Sequence, residues 1–367
     1  MRELVKVCRI QKLEPIQGKD RIELATVDNY PVIVGKGEFK VNDLIVYCAY
    51  DVILPVKPEF EFLRARCWSK LYQGFRIRNM AMAGVFSSGI VFPLSILPPK
   101  KSGWKDGDDV GDVIGAVKYD PEAKKEEDAV NAQKRSGLMK WLYRFKLFRY
   151  LVRPHKAKSA SYPTTVAKSE ETNIEKIYNK LVSHDPPYTF YTTEKMEGMA
   201  GAWMLTGKKR KYAVFSHNMA RDPKGVGVWE SVGRMYNLES ILREQKHNLC
   251  IQGEICGPNI QRNIYGFNTL KLFVYKITDT DTGIPFNCYA MRLFCREYGL
   301  TFVSVICPEC QLPESLDAVL EDADGMSVYG DNVLREGLVW RTIDQSVGFK
   351  AKSRKYAMWF GKEDKTE

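Results

Sequence analysis

A chain of 367 residues is long enough for two domains that each bury a core, and 44% hydrophobic with 27% charged residues is the composition of an ordinary soluble protein. No run reaches the roughly 20 apolar residues a membrane span requires, and no apolar stretch follows Met1-Arg2-Glu3, so an intracellular protein is expected. Of the net charge of +10, all sits in one place: ten Lys or Arg and no Asp or Glu lie between Ala129 and Lys168, while the other 327 residues carry 45 of each sign. Such a segment suits a polyanion, and nucleic acid is the expected partner.

Residues 1–118 show short alternating apolar runs, Val5-Val7, Ile22-Leu24, Val32-Val34, Leu44-Val46-Cys48, Ile77 and Ile90-Phe92, separated by turn residues. The pattern predicts a small antiparallel barrel. Turns are expected at Gly18-Lys19-Asp20 and Asn29-Tyr30-Pro31. Gly35-Lys36-Gly37 lacks the strand-to-helix context of a phosphate loop and reads as a hairpin turn. A barrel of this kind can track a nucleic-acid backbone and stack bases on one face, and Phe75, Arg76 and Arg78 are candidates. An aromatic core with solvated arginines fits those three residues equally well.

Residues 119–160 form a basic linker. Its first part is charged and poor in apolar groups, a surface connection, and 138–153 is expected to be a helix stopped by Pro154. The basic residues of that helix do not share one face, so docking between domains with arginines toward phosphates competes with a membrane-surface role. From 161 to 367 the pattern predicts strands at 209–216, 249–255, 271–277 and 337–343, and helices at 228–245, 289–298 and 313–322. No strand is followed by a glycine fingerprint opening a helix, so an α+β domain of antiparallel sheets is expected. Nine cysteines, an odd number, argue for reduced thiols; Cys307 and Cys310 have zinc-ligand spacing but no second pair.

The chemistry gathers in this last domain. Residues 191–203 read as a strand that breaks at small residues and resumes, with Lys195 at the break and Gly198 permitting a close approach. Lys-x-x-Gly alone is weak, since it occurs at Lys100, Lys134, Lys195 and Lys224, but only the one at Lys195 has an acid before the glycine. Ser216-His217-Asn218, Gln252-Gly253-Glu254 and Glu336-Gly337-Leu338-Val339 follow, then Phe349-Lys350-Ala351-Lys352 with both lysines on one face of a strand. Together these are the parts that move a nucleotidyl group. A lysine amine, with a free pKa of about 10.4, attacks an α-phosphate only when unprotonated; burial beside Lys350, Lys352 and a bound Mg²⁺ would favour that form and stabilise the phosphate. Glu197, Glu254 and Glu336 are oxygen donors of the kind Mg²⁺ prefers, acting through its retained waters.

In this order the motifs resemble those of the covalent nucleotidyltransferases: Glu194 to Gly198 is similar to motif I, Ser216-His217-Asn218 to motif Ia, Gln252-Gly253-Glu254 to motif III, Phe273-Val274-Tyr275 to motif IIIa, Glu336 to Val339 to motif IV and Phe349 to Lys352 to motif V. Only 353–367 remain after motif V, and the N-terminal part, in Asp20 to Ala25, Val34-Gly35-Lys36, Asp43 to Tyr47 and Gly74 to Arg78, resembles the barrel of the Deinococcus-type RNA ligases. The resemblance implies an OB-like barrel over 1–118 and an adenylyltransferase (ATP-grasp-like ligase) domain over 161–367. It also implies an ATP-dependent RNA ligase that seals 5′-phosphate and 3′-hydroxyl RNA ends, with Mg²⁺ or Mn²⁺ as cofactor. By the same resemblance Lys195 takes AMP and passes it to the RNA 5′-phosphate, Lys350 and Lys352 hold the α-phosphate, and Glu197, Glu254 and Glu336 position the metal's water shell or the ribose. Phe273 or Tyr275 stacks on adenine, with Glu194, Gly198 and Asn218 also at the nucleotide. The expected RNA is a nicked duplex or broken RNA, and the expected state a monomer.

Several positions depart from the family pattern. Glu197 stands where Asp is usual and is one methylene longer, His217 stands for an Arg that Arg221 would replace, Lys276 stands for an Asp, and Lys168 to Asn173 lacks the branch's arginine. A GTP-using capping-type nucleotidyltransferase and a non-catalytic RNA-binding protein are the competing readings.

Overall fold

The computed structural model describes residues 4–82, 85–119, 162, 164, 166, 171–216 and 219–363. The expected helix at 138–153, the basic segment around it, and His217 with Asn218 lie outside the described residues. By its contacts the chain forms two compact units, Pro154–Tyr356 and Met1–Arg153 with Ala357–Glu367.

In the N-terminal unit a five-stranded sheet has the order Ile90–Pro93, Leu44–Cys48, Val5–Pro15, Ile22–Val27, Tyr30–Gly35, every neighbour antiparallel. A four-stranded sheet runs Val117–Lys118, Val52–Leu54, Gly74–Ile77, Trp68–Ser69. The alternation read in the sequence is the cause: in Tyr30–Gly35, Tyr30, Val32 and Val34 are buried while the residues between them are half-exposed. One core takes residues from both sheets, including Val7, Ile10, Val46, Leu54 and Phe75. Two turn expectations change. Val27 pairs directly with Tyr30, so the turn is Asp28-Asn29, both at positive φ, and Tyr30 and Pro31 belong to the strand. Gly35-Lys36-Gly37 turns the chain, yet the strand before it pairs only with Ile22–Val27 and the strand after it lies beyond Val5–Pro15, so it closes no hairpin.

The other unit, Pro154–Tyr356, is built on two larger sheets. The first has the order Thr172–Asn173, Gly348–Lys352, Gly337–Thr342, Thr189–Glu194, Val305–Gln311; the second, Ala220–Arg221, Lys211–Ser216, Met199–Thr206, Leu249–Cys256, Lys271–Asp279, Thr301–Phe302. Only the pairings made by Thr172–Asn173 and Thr301–Phe302 are parallel. Behind the first sheet, Ile174–Val182 buries Ile174, Tyr178 and Leu181 at helical spacing, and Leu316–Ala323, capped by Ser315, buries Val319, Leu320 and Ala323. Behind the second lie Val228–Met235, Leu238–Glu244 and Cys288–Glu297 on a core around Trp203, Ile251 and Met291. The single helix expected at 228–245 is two, because Asn237 sits at φ 52°, a left-handed conformation that ends one helix and caps the next.

The antiparallel pair Gly337–Thr342 and Gly348–Lys352 sets both lysines of the second strand on the face opposite buried Phe349 and Ala351. At its end Gly337 has φ 154°, and a Cβ there would strike the Ala351 carbonyl oxygen and lie 3.0 Å from Lys352 Cα. Gly337→Ala is therefore expected to cost about 1–3 kcal/mol, read as a lower urea midpoint for the unfolding step of this unit; an unchanged midpoint would show that the strand shifts freely.

Candidate active site

The strand Thr189–Glu194 belongs to the first sheet and Met199–Thr206 to the second, so residues 195–198 carry the chain from one sheet to the other. Each step is pinned. The Lys195 amide donates to the Gly337 carbonyl at 2.9 Å, and the Glu197 amide donates to the Tyr265 hydroxyl at 2.7 Å. The Cys256 thiol donates to the Glu197 carbonyl at 3.4 Å. Gly198 is required here, though by protein and not ligand: a Cβ would meet the Ile255 carbonyl oxygen and lie 2.8 Å from Glu254 Cγ. The strand pairing of Glu194 with Leu338 places Glu336 beside Lys195, and the amine lies 2.6 Å from Glu336 Oε2 with both side chains largely buried.

A cavity of about 220 Å³ opens at this break. Lys195, Glu254 and Lys350 line it with Glu194 and Thr193, and Met196, Ala200, Val303, Val339 and Tyr275 supply apolar surface. Tyr275 is the extra residue of a bulge, since Gln252 pairs with Lys276 and Gly253 with Val274. Phe273, the other adenine-stacking candidate, is 3% exposed and packs in an aromatic cluster, its ring 4.7 Å from Tyr329. Glu194 is buried, its carboxylate accepting from Ser327 Oγ at 2.6 Å and from the Val328 amide at 2.9 Å; burial still holds its pKa above the usual range. Lys352 lies on the same strand face as Lys350 but does not line the cavity.

The carboxyls near Lys195 are under electrostatic stress. Burial, with the negative charge of Glu336 second, pushes Glu197 up to about 7. Burial likewise pushes Glu254 up to about 8, Glu336 adding to the effect and Lys195 opposing it. Glu197 Oε2 is buried with no hydrogen-bond partner among the described residues. Among the described residues no three such side chains converge closely enough to hold a metal ion directly. An orphaned carboxylate oxygen and mutually repelling acids fit a hydrated divalent cation.

Two residues of this cavity were not singled out from sequence. Arg341, 5% exposed, forms an ion pair with Glu171 at 2.9 Å, and its guanidinium stands 5.8 Å from the Tyr275 ring centroid. Burial alone would raise Glu171, but Arg341 and then Lys276 hold its carboxyl below the usual range. Burial depresses Lys276, with Glu171 opposing. The signal was present, because Val339 and Arg341 are two residues apart on one strand and so share a face. As for the remaining candidates, Phe75 is fully buried in the core of the N-terminal unit, while Arg76 is partly exposed and paired with Asp51 at 3.2 Å. All nine cysteines are free, Cys307 and Cys310 half-buried on an edge strand.

Comparisons with known proteins agree with this picture. Residues 188–357 match the RNA ligase family and residues 4–94 match an OB-fold domain. The RNA ligase of Naegleria gruberi, solved without ligand as a variant, superposes with a TM-score of 0.79 at 22% identity, covering 100% of this chain and 99% of that one. The same ligase with pyrophosphate gives 0.79 at 22% with full coverage of both. A variant with AMP and manganese gives 0.78 at 21%, covering 97% and 98%. No curated protein matches the chain.

Two outcomes are expected from this geometry. Because Glu197 and Glu254 have raised folded-state values, their stabilising contribution is complete below the unfolded value near 4.3 and is lost as pH rises through about 7 and 8. In chelator the melting temperature should fall between pH 6 and 9, and Mn²⁺ should restore more at pH 8.5 than at pH 6; an equal effect of Mn²⁺ at both values would count against these acids as its anchors. Glu171→Gln leaves Arg341 buried without its counter-ion and should cost about 3 kcal/mol, measured by denaturant unfolding.

Proposed function

We propose that this chain, whose residues 188–357 match the RNA ligase family and whose residues 4–94 match an OB-fold domain, joins RNA ends with ATP through a covalent adenylate on Lys195. The observation that carries this assignment is the pinned sheet-to-sheet break that puts the Lys195 amine 2.6 Å from Glu336 and in one cavity with Glu254 and Lys350.

In the first step Lys195 Nζ attacks the α-phosphorus of ATP, a P–N bond forms, and the bond to pyrophosphate breaks. The amine must shed a proton, and Glu336 is the adjacent acceptor. Lys350, on the same cavity, balances charge on the α-phosphate, and Lys352 extends that positive face along the strand. Tyr275, which lines the cavity with Val303 and Val339, offers its ring to the base. A divalent cation, held through its waters by Glu197, Glu254 and Glu336, would neutralise phosphate charge. An oxygen of the RNA 5′-phosphate then attacks the same phosphorus and releases the lysine. Finally the 3′-hydroxyl attacks the RNA phosphorus, closing the phosphodiester and expelling AMP.

RNA is the substrate, and a nicked duplex with a 3′-hydroxyl ribonucleotide end is the form assigned, with the chain acting as a monomer. Residues 1–118 serve as the barrel module, 119–160 as the basic linker and 161–367 as the adenylyltransferase. The resemblance of the motifs and of the barrel supports these finer statements. Incubated with metal and α-labelled ATP, the protein should keep label through denaturation, Lys195→Ala should take none, and α-labelled GTP should give none. Label from GTP in place of ATP would favour the capping-type reaction, and RNA binding without any adduct a non-catalytic role.

A further inference from the structure

Seven of the nine free cysteines are buried. The other two, Cys307 and Cys310, lie half-buried on Val305–Gln311, the edge strand of the first sheet, with exposed Pro308 and Glu309 between them. On a regular strand, side chains three residues apart point to opposite faces. This strand is not regular. Thr192 pairs with Cys307 and Phe190 with Cys310, so three steps on the edge strand oppose two on its neighbour. Pro308 has no amide hydrogen for the ladder, and an edge strand accommodates it at a bulge. Directly opposed residues share a face, and Phe190 and Thr192, two apart, also share one, so the bulge brings both thiols to the same face. The cysteines span the rise of their partners, about 6.6 Å between Cα atoms, at the top of the range of roughly 4.4–6.8 Å that a disulfide bridges. The thiols lie within hydrogen-bonding reach of each other, and burial, then the presence of Cys307, holds the Cys310 thiol above its ordinary pKa. The Cys307 thiol donates to the Glu309 carbonyl at 3.2 Å and the Cys310 thiol to the Phe190 carbonyl at 3.5 Å.

We infer that Cys307 and Cys310 are a reversible redox site, a dithiol that closes to a disulfide under peroxide and thereby loosens the strand that ends next to Lys195. One thiolate attacks a peroxide oxygen, the O–O bond breaks, and the sulfur becomes a sulfenic acid while the departing hydroxide takes a proton to become water. The second thiol gives up its proton and attacks that sulfur, the S–S bond forms, and a second water leaves. Two electrons from the two thiols reduce the peroxide, and a dithiol reductant returns them. Cys310, held in its protonated form, suits the second step, which leaves the first to Cys307. Once bridged, neither sulfur carries a hydrogen, so the Phe190 carbonyl loses its thiol donor. Closing the Cα span also pulls on Cys307, whose amide donates to Thr192 Oγ1 at 3.1 Å. Phe190 and Thr192 both belong to Thr189–Glu194, the strand that leads into the break at Lys195. The inference goes beyond the ligase reading and does not rest on it.

The test treats the full, reduced chain with hydrogen peroxide in the absence of ATP. Peptide mass mapping should find Cys307 joined to Cys310, two hydrogens lighter, and dithiothreitol should reverse the change. Hydrogen exchange at the amides of residues 190–195 should quicken at least about threefold in the bridged form, the size expected for one net hydrogen bond lost. The double variant Cys307→Ser, Cys310→Ser should show neither change. Where the reduced parent takes label from ATP, the bridged form should take it at least about threefold more slowly and recover in dithiothreitol. Oxidation of either cysteine to a sulfinic acid without a bridge would overturn the inference, and so would a bridge that leaves exchange at residues 190–195 unchanged. Bridge and exchange are both read without ATP, so failure of the reduced parent to take label counts against the ligase reading alone.

Discussion

Everything in the catalytic unit depends on how the chain crosses between sheets at Lys195. One strand ends at Glu194 in the first sheet and the next begins at Met199 in the second, and the intervening residues are tied at the Lys195 amide, the Glu197 amide and the Glu197 carbonyl. A side chain at such a crossing has little freedom left to lose when it meets a substrate, which is the condition for a well-placed nucleophile. The amine's partner at 2.6 Å is the carboxylate of Glu336, the residue just before the neighbouring strand. Sequence reasoning expected a surround of cations. The cation is there, as Lys350 on the cavity wall, but the closest charge is an acid, because pairing Glu194 with Leu338 brings the residue before Gly337 alongside Lys195.

Two charge systems with opposite balances lie in and around the cavity. Around Lys195 three acids outnumber the amine, and two of them are forced toward the protonated form. Around Glu171 one acid meets Arg341, Lys276 and Lys350, and it is held ionised against its burial. The first is an arrangement short of positive charge, which fits a site that receives a metal ion; the second has positive charge in excess, which fits a site that receives phosphate or the electron-rich face of a base. Lys276, at a position where the family pattern has Asp, joins the second system, and Glu171 supplies the acid from the residue just before the strand Thr172–Asn173.

Aromatic residues show how narrowly core and surface are separated. Phe75 and Trp68 face each other across one hairpin, yet the first is fully buried and the second is partly exposed beneath an arginine. Phe273 and Tyr275 are two residues apart, but the bulge at Tyr275 assigns one to a packed cluster and the other to the cavity. Alternation counts faces correctly only while the ladder is regular, and a single inserted residue resets the count.

The order and spacing of chemical groups are properties of the chain itself. The amino-acid sequence by itself therefore determined the α+β class, the N-terminal alternating strands, the break at Lys195 and the opposition of Lys350 and Lys352 to buried Phe349 and Ala351. It also held the turn at residues 28–29 and the division of residues 228–244 into two helices, but these hang on left-handed backbone at Asp28, Asn29 and Asn237 that residue type permits without requiring. What only the tertiary structure decided is which distant groups share a space: Glu171 with Arg341, 170 positions apart, Tyr275 in preference to Phe273, and protein backbone as the reason for Gly198. Strand register sets those neighbours, and register is fixed by pairing across the whole sheet, a sum over many contacts that no local stretch of sequence contains.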